Sequence, residues 1–233
     1  GGDQNLVLLD EATVYNASHL LGFFSTFNSD AIKDLELYKG GIPAKYGGRL
    51  SSVLAIHMLD GNNKEFTAEG GLGLIASRLQ LEGPLSGRRT YADLFLKLSN
   101  DETVNKSKLY FYDLNAKANY RFNDKNVLYL SGYFGKDDLG YGDLFSFDWG
   151  NATATARWNH IFSDKLFSNT SLIYSDFTYH VNVSSDESIF QIASKIENFN
   201  FKEDLTYYAN NNSTIRFGLN VLRQHISPAR LRP

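Results

Sequence analysis

The sequence predicts a mainly β protein: a small α+β unit followed by about nine long antiparallel strands suited to a membrane-embedded barrel. Three observations support this fold class. The 233 residues carry 14 Tyr, 17 Phe and 2 Trp beside 19 Gly and only 4 Pro, and aromatic residues favour strands over helices. From about residue 60 onward, polar and apolar residues alternate with a period of two, broken by Asn, Asp, Ser and Gly turns. No apolar run approaches the roughly 18 residues that a transmembrane helix needs, so any membrane crossing is made by strands.

The first sixty residues read as a mixed unit. Asn5 to Leu9 and Thr13 to Tyr15 form a short hairpin around Asp10 and Glu11. Ser29 or Asp30 caps a single helical turn through Ala31, Ile32 and Lys33. A strand from Asp34 to Tyr38 follows, then Gly40 and Gly41, a compact turn at Pro43 to Gly48, and a strand from Leu50 to Leu59. The domain boundary falls near residue 62, giving units 1–62 and 63–233.

Beyond it, strands are predicted at Lys64–Leu74, Ser77–Glu82, Tyr91–Ser99, Leu109–Phe122, Val127–Gly135, Asp148–Phe162, Leu166–Val183, Ile189–Tyr208 and Thr214–Ile226. In the clearest, Tyr112, Leu114, Ala116, Ala118, Tyr120 and Phe122 share one face, while Asp113, Asn115, Lys117, Asn119 and Arg121 share the other. Ala152, Ala154, Ala156 and Trp158 oppose Thr153, Thr155, Arg157 and Asn159 in the same way. Strands of soluble sheets alternate too. Aromatics at both ends of a span of about ten residues favour lipid, because such a span at a tilt near 45° climbs about 23 Å, close to the roughly 25 Å apolar band of a barrel. Connections also alternate: Ser86–Arg89, Asn123–Asn126, Ser163–Lys165 and Ala209–Asn212 are tight, whereas Asp101–Lys108 and Asp137–Phe147 read as longer external loops. Ser184–Ser188, also short, breaks the regularity. Tyr141, Phe145, Phe147 and Trp149 fall in the second long loop, as ligand-stacking candidates or as members of an aromatic girdle, the commoner role.

Charge and motif content exclude other classes. With 23 basic and 26 acidic residues, net charge is -3, so no basic field points to nucleic acid. Without cysteine there is no thiolate, zinc–thiolate or disulfide chemistry. His19, His57, His160, His180 and His225 lack metal-ligand spacing, and no Gly-x-Ser-x-Gly elbow is present. No enzyme activity, metal or cofactor is expected.

The run Asp30-Ala-Ile-Lys-Asp-Leu-Glu-Leu-Tyr-Lys-Gly-Gly-Ile-Pro-Ala-Lys-Tyr-Gly-Gly-Arg-Leu-Ser-Ser-Val53 resembles the plug-domain signature of TonB-dependent receptors. In that family a short helix feeds an acidic strand, a basic residue with glycine, a small-residue turn ending in Tyr-Gly, and a strand leading to the barrel. Leu8 to Leu20 resembles the preceding plug hairpin, with Glu11 in place of the usual glycine, so strain or altered geometry is expected there. The wording after the turn is most similar to Bacteroidota receptors with a carboxypeptidase-regulatory-like extension, and less so to the SusC glycan importers.

The resemblance implies a fragment: the C-terminal part of a plug, then the first strands of a large barrel of roughly 22 strands, since an eight-stranded barrel has no room for a plug. It implies a Gram-negative outer-membrane location, and import of an unidentified siderophore, cofactor, glycan or peptide. Its partners would be a TonB–ExbB–ExbD complex reached through a segment preceding Gly1, outer-membrane lipid, and a surface lipoprotein. Glu36, Lys39, Gly40, Gly41, Pro43, Tyr46, Gly47, Gly48 and Arg49 are the plug-motif residues. The four glycines are expected to give positive φ and close approach. Arg49, Lys39 and Glu36 are candidates to meet Arg78, Glu82, Lys117, Arg121 and Arg157 on the barrel wall. The alternative, a non-transporting barrel with an adhesive or structural role, predicts no plug and is disfavoured by Leu6–Asp60.

Overall fold

The computed structural model describes residues 4–60, 68–81, 85–185 and 188–232. Lys64 to Thr67, Glu82 and the centre of the Ser184–Ser188 connection therefore lie outside the described residues.

The first sixty residues build a small sheet of order β2-β1-β6-β5. It comprises β1 (Asn5–Leu9), β2 (Ala12–Thr13), β5 (Ile32–Tyr38) and β6 (Ser52–Met58), while β3 (Ser18–His19) and β4 (Phe24–Ser25) pair separately. β1 runs parallel to β6, with Leu9 opposite Ile56. β6 is central because its Val53, Ala55, Ile56 and Met58 are all buried, and burying each of the larger ones contributes about 1.5–3 kcal/mol. The predicted helical turn is a 3-10 turn at Ser29–Ala31, capped by the side chain of Asn28 rather than by Ser29 or Asp30.

The remaining strands form one sheet in sequence order, every neighbour antiparallel. They are β7 (Ala68–Leu72), β8 (Ala76–Leu81), β9 (Leu85–Thr90), β10 (Lys108–Asn123), β11 (Asn126–Tyr141), β12 (Phe145–Ser163), β13 (Leu166–Ser185), β14 (Ser188–Asn210) and β15 (Ser213–Arg232). Three expectations are corrected. Ser86–Arg89 is not a turn but the middle of β9, where Arg88 pairs with Asp113 across the ladder. Tyr91–Ser99 is not a strand, since its Ala and Leu helix formers wind into α1 (Ala92–Leu96). Asp137–Phe147 is not a long loop, because β11 and β12 stay paired up to Tyr141 and Phe145.

Connections at one end of the sheet are tight, as at residues 124–125, 164–165 and 211–212. At the other end lies the long 91–107 connection, which carries α1 and α2 (Glu102–Asn105). The small unit covers one face of the large sheet. That packed face is the polar one: in β10, Asp113, Asn115 and Lys117 are 0%, 4% and 5% exposed, while Leu114, Tyr120 and Phe122 on the bare face are 53%, 61% or more exposed. Water would drive the opposite arrangement. Aromatics bound the bare apolar area at both edges, with Tyr112 near Phe134 and Tyr174 near Phe199 at one, and Tyr120, Phe122, Trp158 and Phe162 toward the tight turns.

Candidate functional site

Polar contacts from the packed face hold the small unit. At the β1–β2 turn, Asp10 and Glu11 both adopt left-handed φ, 43° and 75°, as a two-residue turn of this hand requires. Glu11 thus keeps the geometry a glycine would supply. Its carboxylate reaches Arg157 at 3.4 Å, Lys202 at 3.3 Å and Ser171 at 3.3 Å. Lys117 donates to Met58 O at 2.8 Å and pairs with Asp60 at 2.9 Å and Asp10 at 3.5 Å. Burial pushes the Asp60 carboxyl up, but Lys33 and Lys117 outweigh it and hold the pKa below the ordinary value.

Higher on the wall, toward the long connection, His19 sits between two carboxylates. Its Nδ1 lies 2.6 Å from Asp137 and its Nε2 3.2 Å from Asp113, with side chains 3% or less exposed. The ring stacks on Phe111 with centroids 4.1 Å apart. Asp137 also accepts from Leu20 N at 2.8 Å. Arg88 pairs with Asp113 and donates to the carbonyls of Ser25 and Thr26. Burial pushes the imidazole pKa down, yet hydrogen bonds to Asp113 and Asp137 outweigh it and raise it above the ordinary value. Directly after His19 the chain makes a tip in which Leu20, Leu21 and Gly22 have φ of 48°, 59° and 109°. Leucine carries about 1–2 kcal/mol of strain in that region. Leu21 and Phe23 on this tip are 65% and 86% exposed.

Above the level of Asp137 and Trp149 the large sheet exchanges its sidedness. On the packed face, one rung pairs Leu139, Phe147, Val181 and Ile192, and the next pairs Tyr141, Phe145, Val183 and Phe190. The bare face at this height carries Asp138, Asp148 and His180, then Ser146, Asn182 and Gln191. Lys136 and His180 pair with Asp148, and Lys108 with Asp138. The apolar area thus ends where these polar groups begin.

The motif residues are placed differently from the expectation. Glu36 lies in β5, the sheet edge beyond β6, and accepts from Tyr38 at 2.7 Å, a bond that pushes the Tyr38 hydroxyl up to about 12. Arg49 donates to Gly48 O rather than to the wall. Lys45 to Arg49 line a cleft of about 390 Å³ opposite Arg157, Asn198 and Lys202. Gly41 and Gly48 take positive φ, but Gly40 and Gly47 do not, and none of the four is closely approached. The wall contacts come instead from Asp10, Glu11, Tyr15, His19 and Asp30, the last meeting Arg78. Tyr141, Phe145, Phe147 and Trp149 stand on strands rather than in a loop and share the packed face with Asp137 and Asn151, opposite Leu130 and Phe134; Trp149 is 2% exposed.

Sequence reasoning missed the His19 clamp because its partners are 118 and 94 residues distant, and missed the two rungs because the polar run Lys136-Asp137-Asp138 looked like a loop. A shift in which face is apolar across that run is the signal that marks them.

The large antiparallel sheet has a polar face covered by the small mixed sheet and an apolar face left bare. Three solved structures share this fold with the chain. The copper transporter OprC matches at TM-score 0.71 with 12% identity, over 98% of this chain and 39% of its own. The FrpB iron transporter from Neisseria meningitidis, F3-3 variant, matches at 0.65 with 13% identity, over 98% and 42%. The ferric-catecholate import receptor Fiu from E. coli K12, in its open form, matches at 0.63 with 12% identity, over 95% and 42%. These are TonB-dependent receptors, and the chain spans about two fifths of their length. No family model and no curated protein matches the sequence.

Proposed function

We propose that residues 4–60 are plug and residues 68–232 barrel wall of a TonB-dependent outer-membrane receptor that imports a nutrient ligand. The observation that carries this reading is the reversed sidedness of the large sheet. A face bearing Leu114, Leu130, Leu172 and Phe199, each 47% exposed or more, is stable only against lipid. Its polar reverse is covered by the small unit. Tight turns place one end at the periplasm and the 91–107 connection outside.

The plug interface suits movement. Beside the apolar contacts of Tyr133, in one cluster with Leu9, Val14, Ile56 and Met58, and of Phe111 with His19 and Phe24, it carries ion pairs and hydrogen bonds such as those of Glu11, Lys117 and His19, groups that rehydrate when they part. An energised TonB–ExbB–ExbD complex supplies the pull. A surface lipoprotein partner fits the same scheme. The reading is tested by ligand uptake in cells with and without the whole receptor, before and after collapse of the proton-motive force. Uptake that needs both supports it, and uptake indifferent to both removes it.

A further inference from the structure

We propose that the plug is latched to the wall by a proton, with His19 docked as an imidazolium between Asp137 and Asp113. Parting the two surfaces at neutral pH then releases that proton, and alkaline surroundings ease the plug's movement. This rests on the plug-and-wall reading and names a regulation of it. Two geometric observations carry the charge state. Both ring nitrogens face a carboxylate, Nδ1 at 2.6 Å from Asp137 and Nε2 at 3.2 Å from Asp113. A neutral imidazole has a single N–H, so its bare nitrogen would meet carboxylate lone pairs, whereas the imidazolium donates to both. The charges, too, balance only with that proton. Among the described residues, the charged and titratable groups facing the ring are Arg88 on β9, Asp113 on β10, and Asp137 and Tyr133 on β11. Phe111, stacked on the ring, and Phe24 beside it are apolar. Asp113 and Asp137 are 0% and 1% exposed. Arg88 pairs with Asp113 and leaves Asp137 to His19, and a buried carboxylate with no cation is strongly unfavourable.

His19 is 2% exposed, so the residues around it already set this balance. Once the surfaces part, the ring meets water and titrates at about 6.5. Above that pH the freed ring gives up its proton while the docked ring keeps it. The parted state therefore gains by up to about tenfold per pH unit until the docked ring itself titrates. Asp137 also accepts from Leu20 N, the first residue of the left-handed tip, so opening the latch lets that strained backbone relax.

The test uses the intact receptor in lipid nanodiscs with Ser86→Cys as the reporter. Ser86 is 3% exposed and pairs with Asn115 on the packed face, two residues from Arg88. Its alkylation by N-ethylmaleimide is read by mass spectrometry. Dividing that rate, at each pH, by the rate at the exposed turn position in Asp164→Cys removes the thiol's own pH dependence and leaves the parted fraction. The quotient is expected to rise above pH 6.5 by up to about tenfold per unit. It should be high and flat in His19→Gln, and flat in Asp137→Asn, where Arg88 and Asp113 balance without the proton. A flat quotient in the otherwise unaltered receptor, or a slope that survives undiminished in either substitution, overturns the inference. An intact slope beside uptake indifferent to the proton-motive force would remove the import reading and leave the latch standing. A flat quotient beside uptake that needs that force would remove the latch alone.

Discussion

Glu11 shows how one side chain serves two ends. It occupies a left-handed turn position at φ 75°, where glycine is easier by about 1 kcal/mol, yet its carboxylate gathers Arg157, Lys202 and Ser171. Glu11→Ala should loosen the β1–β2 hairpin more than Glu11→Gly does, by about 1 kcal/mol, since alanine loses the contacts and keeps the strain. Hydrogen exchange of the Val14 amide, which bonds Val7 O, checks the order. His19 carries a pH dependence. Asp113, Asp137, Tyr133 and Arg88 face it from β9, β10 and β11, and its folded pKa stands above the unfolded value of 6.5. The clamp therefore contributes fully below pH 6.5 and is lost as pH rises through the elevated folded value. Protection factors at the Leu20 amide are expected to fall as pH rises above 6.5 in the native protein and to stay flat in His19→Gln, whose protection is low throughout. Removing the buried partner of two carboxylates costs about 3–5 kcal/mol of docking.

At the scale of elements, each long strand changes the face it turns to its apolar surroundings along its own length. In β13, Leu172 points to the bare side at 60% exposure while Ser171 beside it is 1% exposed against the small unit. Farther along, Val181 and Val183 have moved the apolar set to the packed side. Leu172→Arg is expected to cost about 2–4 kcal/mol in folding into lipid vesicles, the range for a cation near the bilayer midplane. His180→Arg, above the lipid edge, should cost less than about 1 kcal/mol. Chemical denaturation of the vesicle-embedded receptor measures both, and equal costs would remove the placement of the lipid boundary. The alternation of β10, β12 and β15 was legible from period two alone, whereas β9 was hidden by its Ser-Gly-Arg-Arg core. Those arginines read as a turn until Arg88 is seen to meet Asp113, Ser25 and Thr26.

Across the whole molecule, two kinds of information separate. The sequence by itself determined the mainly β class, the faces of the long strands over their lower parts, and the tight turns at residues 124–125, 164–165 and 211–212, because all of these follow from local periodicity and turn chemistry. It also carried, in residues 30–53, the resemblance to the plug signature. Only tertiary structure decided which residues of the small unit meet the large sheet. The motif residues Glu36 and Arg49 make their hydrogen bonds within the small unit, to Tyr38 and Gly48, while Glu11 and His19 reach partners 146 and 118 residues distant. Such pairings depend on how far strands climb and tilt around a shared interior, and no short-range pattern encodes that register.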